Sequence, residues 1–208
     1  MLSYTPTQTE TRILAAAEEI FLQKGFRATT TQDIADYAGC NQALVYYYYR
    51  NKENLFLKVF SEKTELVFNS FAEPLRLKQD ILQTVRTMVD AYFDFLSSNE
   101  RLPYFIVTEL VQNDDLLQLV IDNFEKNPVR SMVFMQFDER VREGVSSGQI
   151  RAIDAADLMI HIISLCVSTF IAKPLMSRVL PVTDTLARDY LTHRKKEITQ
   201  VIIRGIMA

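Results

Sequence analysis

Apolar positions recur at helical spacing along nearly the whole chain, and the five glycines mark ends more than interruptions. From Thr9 to Lys24, the residues Ile13, Leu14, Ala17, Ile20 and Phe21 form one stripe; Thr9 can cap this helix and Gly25 ends it. Thr30 and Asp33 stand at capping-box spacing, with Asp in place of the usual Glu or Gln. The short helix they open stops at Gly39. A second short helix is predicted over Gln42–Tyr49. Ile34, Ala35 and Ala38 face inward from the first helix, and Leu44, Val45 and Tyr48 from the second. Two short helices joined by a tight glycine-containing turn form a helix-turn-helix pattern. A longer helix then restarts at Lys52 and is expected to reach Phe71.

Beyond Pro74 the pattern changes to long amphipathic helices. Lys78–Ser98 carries Ile81, Val85, Met88, Tyr92 and Phe95 on one face, with Leu82, Val89, Phe93 and Leu96 beside it. Further helices are predicted over Tyr104–Gln112, over Leu116–Glu143 with a break at Pro128, over Asp154–Ala172 and over Asp184–Ile206. Gly144 and Gly148 mark a loop, and Pro174 and Pro181 punctuate a connection. No strand or internal repeat is evident. The fold class is therefore all-α with about nine helices: an N-terminal three-helix unit over residues 1–55 and a larger helical body over residues 56–208.

The first of these units resembles a known family. The run Ile13-Leu14-x-Ala16-Ala17, Phe21, Gly25-Phe26, Thr29-Thr30, Ile34-Ala35 and Ala38-Gly39 is similar to the opening of tetracycline-repressor (TetR) family regulators. So is Tyr46-x-Tyr48-Tyr49-x-Asn51-Lys52-Glu53-x-Leu55. The resemblance covers Thr11 to Leu55 without a gap, while the rest of the chain matches in helix layout only. It implies a cytoplasmic, dimeric, ligand-responsive transcriptional regulator, usually a repressor, that leaves a palindromic operator when a small molecule binds the helical body. Cys40-Asn41 replaces the Val-Ser common in the family, so base preference is not inherited from familiar members.

Physical reasoning assigns roles within this unit. The second helix of a helix-turn-helix enters the major groove with its N-terminal residues near base edges. Those are Asn41, Gln42 and Ala43, followed one turn on by Tyr46 and Tyr47. Gln pairs with adenine, Ala meets a thymine methyl, and each good bidentate pair discriminates by about 1–3 kcal/mol. Tyrosine hydroxyls and Thr30 suit phosphates, and Lys52 supplies charge at the next helix start. Tyr46 and Tyr47 are expected exposed, Tyr48 and Tyr49 more buried.

Charge sharpens the picture. The 208 residues carry 23 basic and 26 acidic side chains, for a net −3, and residues 1–55 carry five basic and six acidic ones. Non-specific binding driven by counterion release should be weak, so specific binding must rest on geometry, helix N-termini and a dimer. With 48% hydrophobic and 24% charged residues, the composition is that of a folded globular chain. Cys40 and Cys166 lie far apart without CxxC spacing, which excludes a disulfide framework and the common zinc sites. Cys40 reads as a small filler near a helix start. Leu158–Ala172, the longest apolar stretch, falls short of the ~20 residues a membrane span needs. Met1–Thr9 resembles no secretory leader.

In the body, Val89, Tyr92, Phe93, Phe105, Glu109, Met132, Met135, Cys166 and Phe170 are the candidate pocket for a largely apolar ligand. Ala155, Leu158, Ile162 and Leu165, with Leu186, Tyr190, Val201 and Ile202, are the candidate dimer face. His193-Arg194-Lys195-Lys196 reads as a solvated helix face. No metal or cofactor motif is present. An enzyme reading has one foothold: Gly144-Val145-Ser146-Ser147-Gly148 satisfies G-x-S-x-G, with Asp154 or Asp157 and His161 or His193 following. That motif needs a preceding strand, and here it follows a helix. A sensor that has lost DNA binding is opposed by intact Thr30, Gln42, Tyr46 and Lys52.

Overall fold

A computed structural model describes residues 7–179 and 189–208. Among them are ten helices: α1 (Gln8–Ala28), α2 (Thr31–Ala38), α3 (Gln42–Tyr49), α4 (Lys52–Arg76), α5 (Ile81–Ser98), α6 (Leu102–Val111), α7 (Asp114–Glu125), α8 (Pro128–Ser146), α9 (Ala155–Val179) and α10 (Tyr190–Ile206). The described residues contain no strand, only an isolated bridge between Ile150 and Met207. The chain divides into two compact units, Met1–Thr64 with Phe105–Lys126, and Glu65–Tyr104 with Asn127–Ala208, each considered over its described residues. The three-helix unit expected to close at Leu55 thus also takes in the first half of α4, most of α6 and all of α7.

Most boundaries have a local cause. Thr7, two residues before the expected cap, accepts from Glu10 N–H at the start of α1. Gly25, at φ 79° and ψ 166°, breaks the helical path inside α1, in a region open almost only to glycine. Thr30 and Asp33 form the full capping box of α2, and Gly39 ends it in the left-handed conformation. Asp80 caps α5, and Asn127 with Pro128 opens α8. Two prolines do not end helices as the sequence suggests. α4 continues past Pro74 to Arg76, and α9 past Pro174 to Val179. The expected start of the last helix at Asp184, Pro181 and the dimer candidate Leu186 lie outside the described residues.

An aromatic core organises the first unit. Phe56 meets Phe21 at 5.4 Å, Phe26 at 5.1 Å and Phe105 at 5.7 Å between ring centroids. Ile13, Ala17, Ile34, Ala35 and Val45 complete the burial beneath α2 and α3. In the second unit α5 is central. Its Val85, Met88, Val89, Tyr92 and Phe93 pack with Phe137 of α8, Leu158, Ile162, Cys166 and Phe170 of α9, and Ile198 and Ile202 of α10. Gly144 sits inside α8, where a Cβ would stand 2.5 Å from Ile81 Cγ2. Its role is close packing of α8 on α5, not the loop its position suggests.

Candidate functional site

The reading end of the first unit is built from α2 and α3. Asn41 caps α3, its side-chain oxygen accepting from Leu44 N–H at 3.0 Å. Val45 and Tyr49 point inward, Tyr48 is half-buried, and Tyr46 and Tyr47 are 47% and 71% exposed. Asn41 and Ala43 are exposed as well. The structure therefore brings Asn41, Gln42, Ala43, Tyr46 and Tyr47 together on or beside one end of α3. Gln42 is half-buried: its Nε2 donates to Thr31 Oγ1 at 2.8 Å, and Thr31 Oγ1 donates to the Tyr46 hydroxyl at 3.4 Å. Thr31 escaped the sequence reading, where it is one of three consecutive threonines and only the capping one stood out.

Two expected phosphate contacts are occupied within the chain. The Thr30 hydroxyl and N–H both donate to the Asp33 carboxylate, at 2.6 and 2.8 Å. Lys52 is turned inward instead of toward a phosphate. Its ammonium donates to Phe26 O at 2.8 Å and Thr29 O at 2.9 Å and lies 4.3 Å from the Phe26 ring centroid. Both carbonyls are part-buried, and leaving such acceptors unmet would cost stability.

The same turn is held from the other side by α6. Glu109 accepts from Phe26 N–H at 2.9 Å, and Arg27 donates to Gln112 O at 2.6 Å. Glu109 belongs to the first unit, and its carboxylate has a structural partner in the α1–α2 turn. Phe105 packs on Phe56 in that same unit. Lys24 bridges to Asp33 at 2.7 Å, and this contact, then the Thr30 bonds, holds the Asp33 carboxyl well below the usual carboxylate range. Arg12 donates to Ala38 O and Gly39 O at the end of α2. None of these tertiary bonds has a local spacing by which sequence could announce it.

In the second unit the remaining pocket candidates separate into two groups. Val89, Tyr92, Phe93, Cys166 and Phe170 share the core, with the Phe93 and Phe170 rings 5.2 Å apart. Burial pushes the Cys166 thiol up to about 12 and raises the Tyr92 phenol above its ordinary value. Met132 and Met135 lie exposed on α8 instead. The dimer candidates Ala155, Leu158, Ile162 and Ile202 are also core residues of the protomer, which corrects their expected place on an outer face. Leu165 and Tyr190 are half-buried and Val201 is exposed. α9 has an exposed stripe of Asp157, His161, Ser164 and Ser168, and the candidates Ala155, Leu158 and Ile162 lie on the side away from it. Its outer side carries Ile160 and Ile163, 59% and 37% exposed. The 22-residue section Ala155–Met176 is long and apolar enough to cross a membrane, contrary to the shorter stretch read from sequence, yet a third of it is buried inside the protein.

The G-x-S-x-G segment is the end of α8 and the turn after it. Ser146 Oγ donates to the Glu143 carbonyl of its own helix at 3.0 Å. It shares an open groove of about 840 Å³ with Asp154, Asp157 and His161, but no hydrogen bond joins it to His161 among the described residues.

Comparison with known proteins decides the family. Residues 13–59 match the model of bacterial regulatory proteins of the tetR family, and residues 82–202 match the tetracyclin repressor-like C-terminal domain. The chain belongs to the TetR family. It is a DNA-binding transcription regulator and, like its relatives, not an enzyme. The fatty acid metabolism regulator protein of Bacillus subtilis is 24% identical over 140 residues, 67% of this chain and 70% of that protein. The transcriptional activator FasR of Mycolicibacterium smegmatis is 30% identical over 90 residues, 43% of this chain and only 41% of FasR. The repressor KstR2 of the same species is 25% identical over 162 residues, 76% of this chain and 77% of that protein. Among solved structures, Bacillus subtilis FadR in complex with stearoyl-CoA has the same fold, with a TM-score of 0.72 at 20% identity, covering 94% of this chain and 98% of FadR.

Proposed function

We propose that this TetR-family protein is a cytoplasmic homodimeric repressor that grips a palindromic operator with two copies of α3 and is released by an apolar small molecule. The observation that carries the dimer is the outer side of α9. A surface helix is normally polar outward. Here Ile160 and Ile163, with Val201 of α10, leave apolar surface uncovered on one protomer. Exposed apolar side chains of this kind suit an interaction face, and a two-fold axis would bury the same face on both copies. Two reading helices ~34–36 Å apart would then meet successive major grooves on one side of the duplex. Asn41, Gln42, Ala43, Tyr46 and Tyr47 are proposed to face that groove, with Thr30 near the backbone.

For the ligand, the proposal places an apolar chain among Val89, Tyr92, Phe93, Cys166 and Phe170, an aromatic core carrying two polar groups. The relatives named for fatty acid metabolism and the FadR complex with stearoyl-CoA make a long-chain acyl thioester the first compound to try. α4 is one unbroken helix with its first residues in the reading unit and its last in the second, so it offers a covalent route for coupling. A ligand acts by binding one conformation better than the other.

The test is selection of bound sequences from random duplex DNA, with the mass of the complex read by sedimentation. One enriched palindrome bound by two chains is expected. Absence of enrichment at low salt would end the DNA-reading proposal. With the operator in hand, stearoyl-CoA should weaken its binding at least about tenfold, a differential affinity of about 1.4 kcal/mol. Binding of the thioester with no change in operator affinity would refute the coupling.

A further inference from the structure

We infer that Thr31 sets the base preference of this regulator by fixing which end of the Gln42 amide faces the DNA. The inference rests on the proposal that α3 occupies the major groove. Gln42 is the first residue of α3, and a free glutamine side chain offers both a donor and an acceptor, which is how it pairs with adenine through two hydrogen bonds. Here one of the two Nε2 hydrogens is engaged, which ties the nitrogen end of the amide to α2. Nε2 donates to Thr31 Oγ1 at 2.8 Å. Thr31 is a buried residue of α2, so its hydroxyl has little access to competing water. Having accepted from Gln42, it passes its own proton to the Tyr46 oxygen at 3.4 Å. The chain of bonds therefore has one direction, Gln42 to Thr31 to Tyr46. With its nitrogen end anchored to Thr31, Gln42 turns Oε1 outward as the acceptor that meets the groove, and the Tyr46 hydroxyl is left to donate.

An acceptor held at the groove reads amino groups. In the major groove adenine presents N6–H₂ and cytosine N4–H₂, whereas guanine O6 and N7 and thymine O4 are acceptors that a carbonyl oxygen repels. The half-site position met by Gln42 should therefore admit adenine or cytosine and reject guanine and thymine, a rule that cuts across purine and pyrimidine. Tyr46, donating, suits a phosphate oxygen or a base acceptor.

Selection from random duplexes, run on the wild type and on Gln42→Ala, Thr31→Val and Thr31→Ser, tests this. For the wild type, one symmetric pair of positions should accept adenine and cytosine alike, with guanine and thymine depleted about tenfold. Gln42→Ala should erase the preference there and nowhere else. Thr31→Val frees the amide, so adenine should gain over cytosine at that pair, while Thr31→Ser, which keeps the hydroxyl, should retain the wild-type profile. Thr31→Val is close in size, and an unchanged melting curve for it or for Thr31→Ser separates a specificity change from misfolding. A wild-type preference for guanine would overturn the inference, as would a Gln42→Ala or a Thr31→Val profile identical to wild type. If the wild type enriches no sequence at all, the DNA-reading proposal fails and takes this inference with it. An enriched palindrome that Thr31→Val leaves untouched sinks the inference alone.

Discussion

Asp33 does two jobs at one position, since the same carboxylate closes the α2 capping box and receives Lys24. Both interactions favour its ionised form, so its folded pKa is depressed, by Lys24 first and Thr30 next. The stability it contributes is full above about pH 4, where an unfolded aspartate is ionised, and is lost as pH falls toward the folded value. Asp33→Asn should therefore melt below wild type at pH 7, and the gap should narrow on acidification below about pH 4. Thermal melts followed by circular dichroism across that range check the sign. Cys166 is the opposite case, a thiol held neutral by burial at about 12. Thiolate is the reactive species, so iodoacetamide at neutral pH should leave Cys166 unmodified until the chain is unfolded. Mass mapping of the labelled cysteine in folded protein would refute this by finding Cys166 modified.

At the scale of the element, the turn between α1 and α2 adds polar ties to the aromatic core that shapes the first unit. Lys52 takes the carbonyl of Phe26 and Glu109 its N–H, so the backbone of one residue is held from α4 and from α6. Gly25 is required there by its backbone conformation, and a side chain would also displace the Glu109 carboxylate. Its φ of 79° strains any other residue, and a Cβ would lie 2.5 Å from Glu109 Oε1. Gly25→Ala should cost about 1–3 kcal/mol in urea unfolding from the backbone alone. Glu109→Ala leaves Phe26 N–H without its partner, part-buried, and should cost about 1–3 kcal/mol. A loss in operator affinity larger than its loss in stability would show that α6 also positions α3. Gly144→Ala, pressing on Ile81, should cost about 1–3 kcal/mol through overpacking, with no effect on DNA binding once the protein is folded.

For the whole molecule, charge and association have to be considered together. A chain of net −3 with no basic excess in residues 1–55 cannot hold DNA by counterion release alone. Affinity then depends on two reading heads acting at once, which ties DNA binding to the outer face of α9. Ile163→Asp should convert a dimer to monomers while leaving the helical circular dichroism intact, and operator binding should fall by more than about a hundredfold as the second head is lost. Sedimentation and a gel-shift titration on one preparation decide it. A monomeric Ile163→Asp protein with undiminished operator affinity would separate association from reading.

Helical periodicity, caps and the spacing from Ile13 to Leu55 determined by themselves the all-α class, the helix-turn-helix and which tyrosines of α3 face outward. These follow from interactions within a turn or two, which linear spacing records. What only the tertiary structure decided is where faces of similar composition go. α9 carries apolar residues on both flanks of its polar stripe, and packing against α5, α8 and α10 made Leu158 and Ile162 core and left Ile160 outside. Glu109 and Lys52 could each have met solvent, ligand or phosphate. Their partner is a turn 83 residues away from one and 26 from the other, and only folding creates it. Gln42 is the same case at the reading head, since the buried hydroxyl that orients it belongs to another helix.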